Sequence, residues 1–182
     1  MIGGRSMDKM TFVVREAVED DIPQIIEAAK EAFWAYAENA GITGLVQPLQ
    51  ESYEDLKRDL ETKLVLVAIL DGKVAGSVRV QVYPDNTAYL SRLGVRVAYQ
   101  NNGVGKILLN AVDNYMMKLG VKNLYLHTAS RLFSLVRFYY GRGFYIESTT
   151  KDRGYVRALL CKEYPIEVKK SSTAGQYAVA VV

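Results

Sequence analysis

Residues 93–106 read LGVRVAYQNNGVGK, and several amide side chains with two glycines, Gly103 and Gly105, stand where a predicted strand gives way to a predicted helix. A strand-like run, residues 88–97, precedes them. The residues after them are apolar at helical spacing: Val104, Ile107, Leu108, Ala111, Val112, Tyr115, Met116 and Leu119. A strand, a glycine loop and a helix in this order bring unpaired backbone N–H groups and the positive end of the helix dipole to one point. The segment is therefore predicted to bind an anion, most often a phosphate.

Two better-known phosphate-binding loops do not match these residues. The ATP-binding loop requires a Ser or Thr after Gly-Lys to hold Mg²⁺, whereas Ile107 follows Gly105 and Lys106. The dinucleotide-binding loop requires a third small residue where the helix meets the strand, and that position is Leu108. What remains is a Gln-x-x-Gly-x-Gly pattern at residues 100–105.

Three segments together resemble the GNAT superfamily of N-acetyltransferases. The pattern at residues 100–105 is similar to the loop with which these enzymes grip the pyrophosphate of coenzyme A without a metal. Residues 137–144, RFYYGRGF, are similar to the second family signature, Phe-Tyr-x-x-x-Gly-Phe. Residues 93–100 are similar to the central strand as it enters the loop. The segments occur in the family's order and separations, and the resemblance covers roughly residues 11–164.

The predicted elements give the family's order, βααβββαβαββ, and the resemblance implies an α/β (α+β) fold. Its sheet is expected to be mixed and mostly antiparallel, with about six to seven strands and helices on both faces. Strands are predicted at residues 12–16, 64–70, 73–83, 88–97, 124–128, 144–150 and 155–164, and helices at about 22–39, 52–61, 104–119 and 133–140. The strand at 124–128 follows a helical crossover and is expected to be parallel to its predecessor.

The resemblance implies an acetyl-CoA site in which backbone N–H groups of the glycine loop hold the pyrophosphate. Coenzyme A is then the product, and no metal is expected. The residues expected to bind the cofactor are Leu93, Gly94, Val95, Gln100, Asn101, Asn102, Gly103, Val104, Gly105, Lys106, Phe138 and Tyr139.

The chemistry that the resemblance implies is attack of a neutral amine on the acetyl thioester, with coenzyme A thiolate leaving. This reaction needs a donor to the developing oxyanion, a proton for the sulfur and a base for the amine. By the resemblance, the donor to the oxyanion is the backbone N–H of Val95. The proton for the sulfur comes from Tyr139, which directly follows Phe138. An ordinary phenol, with a pKa near 10, is a suitable donor to a thiolate. The alternative for Tyr139 is a core tyrosine.

Three departures from the family pattern concern the cofactor and the base. Leu132 stands where an Asn is usual, and Val97 where a Pro is usual. Residues 89–92, YLSR, contain no carboxylate to act as a base, which leaves the base unassigned. His127 is the only histidine and titrates near neutral pH, so it is a candidate base, with a structural role as the alternative.

Acidic and aromatic side chains surround the first two predicted helices, where this family usually builds the acceptor pocket. The main interpretation is a solvated face, and the alternative is a wall that suits a cationic amine. The residues are Glu31, Glu38, Glu51, Glu54 and Asp55, with Trp34, Tyr36 and Tyr53 between them.

Composition predicts one domain, residues 11–165, in a chain of 182 residues that is 49% apolar. Residues 1–10 are expected to be a flexible extension. Residues 166–182 form a tail, expected to add an edge strand or to contact a second subunit in a homodimer.

The net charge of +3 is mild and gives no case for a nucleic-acid or membrane partner. A lone Cys161 excludes an internal disulfide and fits the cytoplasm.

The leading hypothesis is an acetyl-CoA-dependent N-acetyltransferase that acts on a primary amine of a small molecule or peptide. Direct transfer is expected, because the only thiol, Cys161, lies far along the last strand. The alternative, motivated by the unassigned base, is a non-catalytic acyl-CoA-binding regulatory or interaction module. The acceptor stays open among polyamines, antibiotics, amino acids and protein amines.

Overall fold

The computed structural model describes residues 11–43 and 50–165 of the chain. Seven strands run through these residues: β1 (Phe12–Glu16), β2 (Leu64–Leu70), β3 (Lys73–Val82), β4 (Thr87–Val95), β5 (Asn123–Ala129), β6 (Tyr145–Thr150) and β7 (Arg157–Glu163). Four helices accompany them: α1 (Ile22–Asn39), α2 (Tyr53–Thr62), α3 (Val104–Lys118) and α4 (Phe133–Tyr140). The order βααβββαβαββ confirms the predicted fold class. The predictions for residues 1–10 and 166–182 lie outside the described residues.

One sheet contains all seven strands, in the order β1-β2-β3-β4-β5-β7-β6. Every neighbouring pair is antiparallel except β4 and β5, which are parallel, as the helical crossover through α3 predicts. The sheet therefore consists of two antiparallel blocks, β1–β4 and β5–β7–β6, joined by a single parallel pair.

Local sequence signals set several element ends. At the tip of the β2–β3 hairpin, Asp71 and Gly72 both adopt positive φ angles, 48° and 78°, which a two-residue hairpin turn requires. At the start of α2, Ser52 Oγ accepts a hydrogen bond from Asp55 N at 3.2 Å, and the Asp55 carboxylate accepts one from Ser52 N at 3.0 Å. This is the reciprocal capping box that the sequence predicts.

Alternate residues of β2 face opposite sides of the sheet, and each side is covered by helices. Leu66 and Ala68 belong to the larger core, together with the apolar stripe of α3, whereas Val65 and Val67 pack with residues of α1 and α2. Both faces are buried, which explains the nearly continuous apolar sequence of β2. No helix among the residues described has the length and apolar character needed to cross a membrane.

The strand β4 ends two residues earlier than the sequence predicts, because tertiary contacts turn the chain there. Arg96 N donates to Ala75 O of β3 at 2.8 Å, and the Val97 amide then donates to Glu31 Oε1 of α1, also at 2.8 Å. A 3₁₀ turn, Val97–Tyr99, follows in place of the predicted strand end.

Candidate active site

The strands β4 and β5 separate after a short stretch of pairing. Three residue pairs join them, from Thr87 with Asn123 to Tyr89 with Tyr125. Beyond these pairs β5 continues to pair with β7 along its whole length, while β4 continues to pair with β3. The sheet therefore opens as a wedge between the ends of β4 and β5, called here the β4–β5 gap.

A β-bulge lies in β4 beside this gap. On β3, Ser77 and Arg79 are separated by one residue, whereas their partners on β4, Gly94 and Ser91, are separated by two. The extra residue leaves Arg92 with a φ of 57°, in the left-handed region that side chains other than glycine seldom adopt. A bulge bends its strand, so β4 curves where its pairing with β5 has ended.

On one side of the gap is a cleft of about 860 Å³, called here the loop cleft. It is lined by the end of β4, the glycine loop, the start of α3, α4 and one face of α1. Eleven of the twelve residues predicted to bind the cofactor line it: Leu93, Gly94, Val95, Gln100, Asn101, Gly103, Val104, Gly105, Lys106, Phe138 and Tyr139. Asn102 is exposed and is not among the lining residues.

The N-terminus of α3 presents unpaired backbone donors to the loop cleft. Gly103 caps the helix with a φ of 82°, and the first helical hydrogen bond runs from Ile107 N to Gly103 O at 3.0 Å. The N–H groups of Val104, Gly105 and Lys106 therefore have no acceptor within the helix. A Cβ on Gly105 would lie 3.5 Å from Phe138 Cζ and 3.8 Å from Val95 Cγ2, so this glycine keeps the space between two lining residues open.

The charged residues of the loop cleft are both cations, Lys106 and Arg131. Together with the helix N-terminus they make its described lining suitable for an anion. The Gln100 side chain points back from the loop, since its Nε2 donates to Val95 O at 2.9 Å and so ties the loop to the end of β4.

The backbone N–H of Val95 faces the β4–β5 gap. Successive N–H groups of a strand point to opposite edges, and that of Arg96 donates to Ala75 O on β3. The N–H of Val95 therefore points to the other edge, where β5 has separated and offers no partner. A hydrogen-bond donor is thus available in the middle of the sheet.

Tyr139 lines the loop cleft and also the cleft on the other side of the gap. Its buried ring packs edge-on against Phe138 and Phe144, with centroid distances of 5.3 and 5.6 Å. Burial raises the pKa of its phenol, so the hydroxyl keeps its proton at neutral pH. Tyr140, by contrast, is 51% exposed, and its hydroxyl accepts a hydrogen bond from Ile146 N at 3.3 Å.

The second cleft has a volume of about 750 Å³ and is called here the ionic cleft. It shares five lining residues with the loop cleft: Phe33, Tyr36, Leu93, Leu135 and Tyr139. Tyr36 crosses from α1 to β5, where its hydroxyl accepts a hydrogen bond from Ala129 N at 2.8 Å, and burial raises its pKa to about 12. The two clefts therefore meet between α1, the end of β4 and α4.

An ion cluster around Arg79 forms one wall of the ionic cleft. Arg79 is 1% exposed, and its two Nη atoms donate to Glu51 Oε1 at 3.0 Å and Oε2 at 2.7 Å. Asp59 accepts from Arg79 Nη1 at 2.7 Å and pairs with Lys63 at 2.7 Å. Arg92 Nε donates to Glu51 Oε1, also at 2.7 Å.

His127 lines the ionic cleft from β5. Its Nδ1 lies 2.8 Å from the hydroxyl of Tyr89, at the point where β4 and β5 separate. Burial lowers the pKa of His127, and the positive charges of Arg157 and Arg153 lower it further. The imidazole is therefore neutral at neutral pH and able to accept a proton.

Residues 24–144, more than half of the chain, match the model of the acetyltransferase (GNAT) family. The chain belongs to the acetyltransferase (GNAT) family. This GNAT chain is 29% identical over 152 residues to a spermidine N(1)-acetyltransferase of Thermoplasma acidophilum, covering 77% of the chain and 92% of that relative.

Solved structures share the fold of this GNAT chain. The PaiA N-acetyltransferase of T. acidophilum in complex with coenzyme A superposes with a TM-score of 0.75 at 25% identity, covering 85% of this chain and 100% of that one. The ribosomal-protein-S18-alanine N-acetyltransferase of Escherichia coli gives a TM-score of 0.68 at 19% identity, covering 93% and 100%. The predicted family and enzyme class are confirmed: the chain is an N-acetyltransferase.

The acidic residues that the sequence places near the acceptor pocket of this GNAT enzyme have mostly structural partners. Glu51 alone of the five lines the ionic cleft, where it binds Arg79 and Arg92. Asp55 caps α2 and Glu31 holds the end of β4, whereas Glu38 and Glu54 are exposed.

Of the α1 face that lines the loop cleft, sequence reasoning named only Tyr36, and it gave no role to the cations of the ionic cleft. The α1 residues are Ala32, Phe33, Ala35, Tyr36 and Asn39. Their apolar spacing indicates a buried face and says nothing of a ligand. Gly94 is the sequence signal for this face of α1. A Cβ at Gly94 would lie 3.1 Å from Ala32 Cβ and 3.2 Å from Phe33 Cε2, so the close packing of α1 on β4 requires a glycine there.

Proposed function

We propose that this GNAT enzyme transfers the acetyl group of acetyl-CoA directly to a primary amine held in the ionic cleft. The observation that carries the proposal is that the loop cleft and the ionic cleft meet at Tyr139, beside the gap between β4 and β5. Two substrates, one bound in each cleft, would reach each other there.

The loop cleft fits coenzyme A by its donor set. The N–H groups of Val104, Gly105 and Lys106 suit a pyrophosphate, and Lys106 and Arg131 add positive charge. A related structure with the same fold, PaiA of T. acidophilum, contains coenzyme A. When bound, acetyl-CoA supplies an acetyl group activated as a thioester.

Val95 is the proposed donor to the acetyl oxygen. Its N–H points into the β4–β5 gap, and Gln100 fixes the same peptide segment by binding Val95 O at 2.9 Å. A donor that is already oriented stabilises negative charge as it develops, without reorganisation during the reaction.

Tyr139 is the proposed proton source for the sulfur of the leaving thiolate. Its pKa is raised by burial, so it is protonated at neutral pH, and its hydroxyl bonds no other described residue. The rings of Phe138 and Phe144 fix its orientation. The hydroxyl is therefore free to donate to a group at the junction of the clefts.

His127 is the proposed base, and it acts through Tyr89. As the nitrogen of the amine bonds to the acetyl carbon, it becomes more acidic and releases a proton to the Tyr89 oxygen. The Tyr89 hydroxyl passes its own proton to His127 Nδ1, 2.8 Å away. The lowered pKa of His127 keeps it neutral and ready for this step at neutral pH.

The position of Cys161 supports direct transfer. This sole cysteine is buried on β7 and lines neither cleft, so an acetyl-cysteine intermediate has no thiol at the junction. A lone, reduced cysteine also supports placing the enzyme in the cytoplasm.

The test combines coenzyme A binding, measured by calorimetry, with acetyl transfer from acetyl-CoA to a panel of primary amines. We expect saturable binding of coenzyme A and formation of acetylated amine with release of the thiol. Absence of coenzyme A binding would overturn the assignment of the loop cleft. Binding without transfer to any amine would overturn the proposed reaction.

A further inference from the structure

The ionic cleft has an excess of positive charge. Among the described residues, and leaving Arg153 out of the balance, four cationic side chains line it, Lys63, Arg79, Arg92 and Arg157, against two carboxylates, Glu51 and Asp59. Asp152, which binds Arg157, offsets one further cation.

Neither carboxylate of the lining is available to a cationic ligand. Both oxygens of Glu51 accept from Arg79, and one accepts from Arg92 as well, while the two oxygens of Asp59 bind Lys63 and Arg79. The side chains of Glu51 and Asp59 are 13% and 15% exposed. An ammonium group could bind them only by displacing a largely buried guanidinium, which is costly because it separates a desolvated ion pair.

Arg92, in contrast, offers unused donors. Its Nε is fixed by Glu51 at 2.7 Å, and neither of its Nη atoms bonds another described residue. Its side chain is 23% exposed, and the bulge in β4 holds its backbone in place. A guanidinium presents hydrogen-bond donors only, in a planar arrangement that matches a carboxylate or a phosphate.

The positive charge affects the neighbouring titratable groups. Arg157 and Arg153 contribute to lowering the pKa of His127, and Arg157, Arg153 and Arg92 oppose the rise that burial causes in the pKa of Tyr89. The charge of Asp152 acts in the opposite direction and raises the pKa of His127, but the pKa is lowered overall. The effects of the arginines have the sign of a positive local potential. The groups that face the cleft from α2, β3, β4, β5 and β7 therefore favour an anion near the acceptor site.

We infer that the acceptor is a small primary amine that also carries an anionic group, a carboxylate or a phosphate, and that Arg92 binds this group. The inference rests on the proposed function, because it takes the ionic cleft as the acceptor site. It distinguishes this enzyme from its 29% identical relative, whose name specifies spermidine, a polycationic amine.

The test compares amines that share a four-carbon chain and differ at the far end: 4-aminobutyrate, butylamine and 1,4-diaminobutane. We expect kcat/KM to be about tenfold or more higher for 4-aminobutyrate than for butylamine, since a charge-assisted hydrogen bond is worth about 1.5–3 kcal/mol. The diamine should be the poorest acceptor. 3-Aminopropyl phosphate carries a phosphate in place of the carboxylate. Whichever of the two anionic amines has the higher kcat/KM identifies the preferred anion. A diamine that equals or exceeds 4-aminobutyrate would overturn the inference.

Arg92→Gln provides the matched test of the residue. We expect kcat/KM for 4-aminobutyrate to fall about tenfold further than kcat/KM for butylamine, and coenzyme A affinity to stay at its original value. The control is Lys30→Gln, which removes an exposed positive charge that lines neither cleft and should leave the ratio of the two amines unaltered. An equal loss for both amines in Arg92→Gln would show a structural role instead and overturn the assignment of Arg92.

The inference can fail separately from the proposed function. If no amine is acetylated, the reaction is wrong, and calorimetric titration of 4-aminobutyrate and 1,4-diaminobutane into the protein saturated with coenzyme A still decides the charge preference. Tighter binding of 4-aminobutyrate supports the inference. Tighter or equal binding of the diamine contradicts it.

Discussion

The loop cleft and the ionic cleft share five lining residues but are built from different kinds of groups. The loop cleft presents backbone N–H groups and glycines from one continuous segment, residues 93–106. The ionic cleft depends on side chains from separate elements that neutralise one another in the fold, such as Glu51, Arg79 and Arg92. A backbone site of this kind tolerates changes of sequence that keep the main-chain path. A side-chain site can change its specificity by one substitution.

Removing the hydroxyl at the junction should have the largest effect. We expect Tyr139→Phe to lower kcat by roughly 10²- to 10⁴-fold, the usual contribution of a positioned general acid, with little change in coenzyme A affinity. Steady-state kinetics at saturating acetyl-CoA measures the effect. Tyr140→Phe is the matched control on the same helix, since its exposed hydroxyl lines neither cleft, and it should keep full activity. Equal kcat values in the two variants would show that Tyr139 only packs in the core and is not the general acid.

The wall of the ionic cleft should be needed for folding. Arg79→Met leaves Glu51 and Asp59 without their shared partner in a mostly buried place, and we expect the free energy of unfolding to fall by about 3–5 kcal/mol. Urea unfolding measures it. Arg58→Met, which removes a 70% exposed side chain 3.7 Å from Asp55, should change stability by less than about 0.5 kcal/mol. A loss below about 1 kcal/mol in Arg79→Met would show that the cluster is not structural.

The loop cleft should lose binding without losing the fold. We expect Gly105→Asp to weaken coenzyme A binding by about 100-fold, or about 2.7 kcal/mol, because its carboxylate would lie beside the phosphate position. An acidic residue in the first turn of a helix is otherwise favourable, so the midpoint temperature of unfolding should stay unchanged. Gly105→Ala is the control, since its Cβ would make ordinary contacts at 3.5 and 3.8 Å. Unaltered affinity in Gly105→Asp would refute the placement of the pyrophosphate.

The smallest effect expected is on the pH profile. Burial and the nearby arginines oppose protonation of His127, so the acid limb of kcat, measured with both substrates saturating, should have its midpoint below 6.5, the usual pKa of histidine. Below that midpoint the rate should fall by about tenfold per pH unit, because protonated His127 accepts no proton. His127→Gln should abolish this limb. A midpoint above 6.5, or an unchanged limb in the variant, would contradict the role of His127 as the base.

Most of the fold was predictable, because its signals are local. The hairpin at Asp71 and Gly72, the capping box of Ser52 and the apolar stripe of α3 each depend on residues close together in the chain. The end of β4 was not predictable, because a contact with Glu31, 66 residues away, turns the chain at Val97. No local pattern contains that information.

The loop cleft was largely predictable and the ionic cleft was not, for the same reason. Tyr139 and Gly105 occur in two short motifs, and both residues line the loop cleft. Glu51 lies 28 residues from Arg79 and 41 from Arg92, and sequence spacing alone indicates none of these pairs. The acidic residues near α1 and α2 were interpreted mainly as a solvated face, with a wall for a cationic amine as the alternative. In the fold Glu51 instead pairs with Arg79 and Arg92, and the Nη atoms of Arg92 bond no other described residue.

The separation of β4 from β5 also has a consequence for synthesis of the chain. The glycine loop lies between β4 and α3, before Gly120 in the chain. His127 and Tyr139 follow Gly120, in β5 and α4. Because the chain emerges from the ribosome N-terminus first, a nascent chain contains the glycine loop before it contains Arg131 of the loop cleft or either titratable group of the junction. A chain that ends at Gly120 would thus contain the glycine loop but lack both the proposed proton donor and the proposed base.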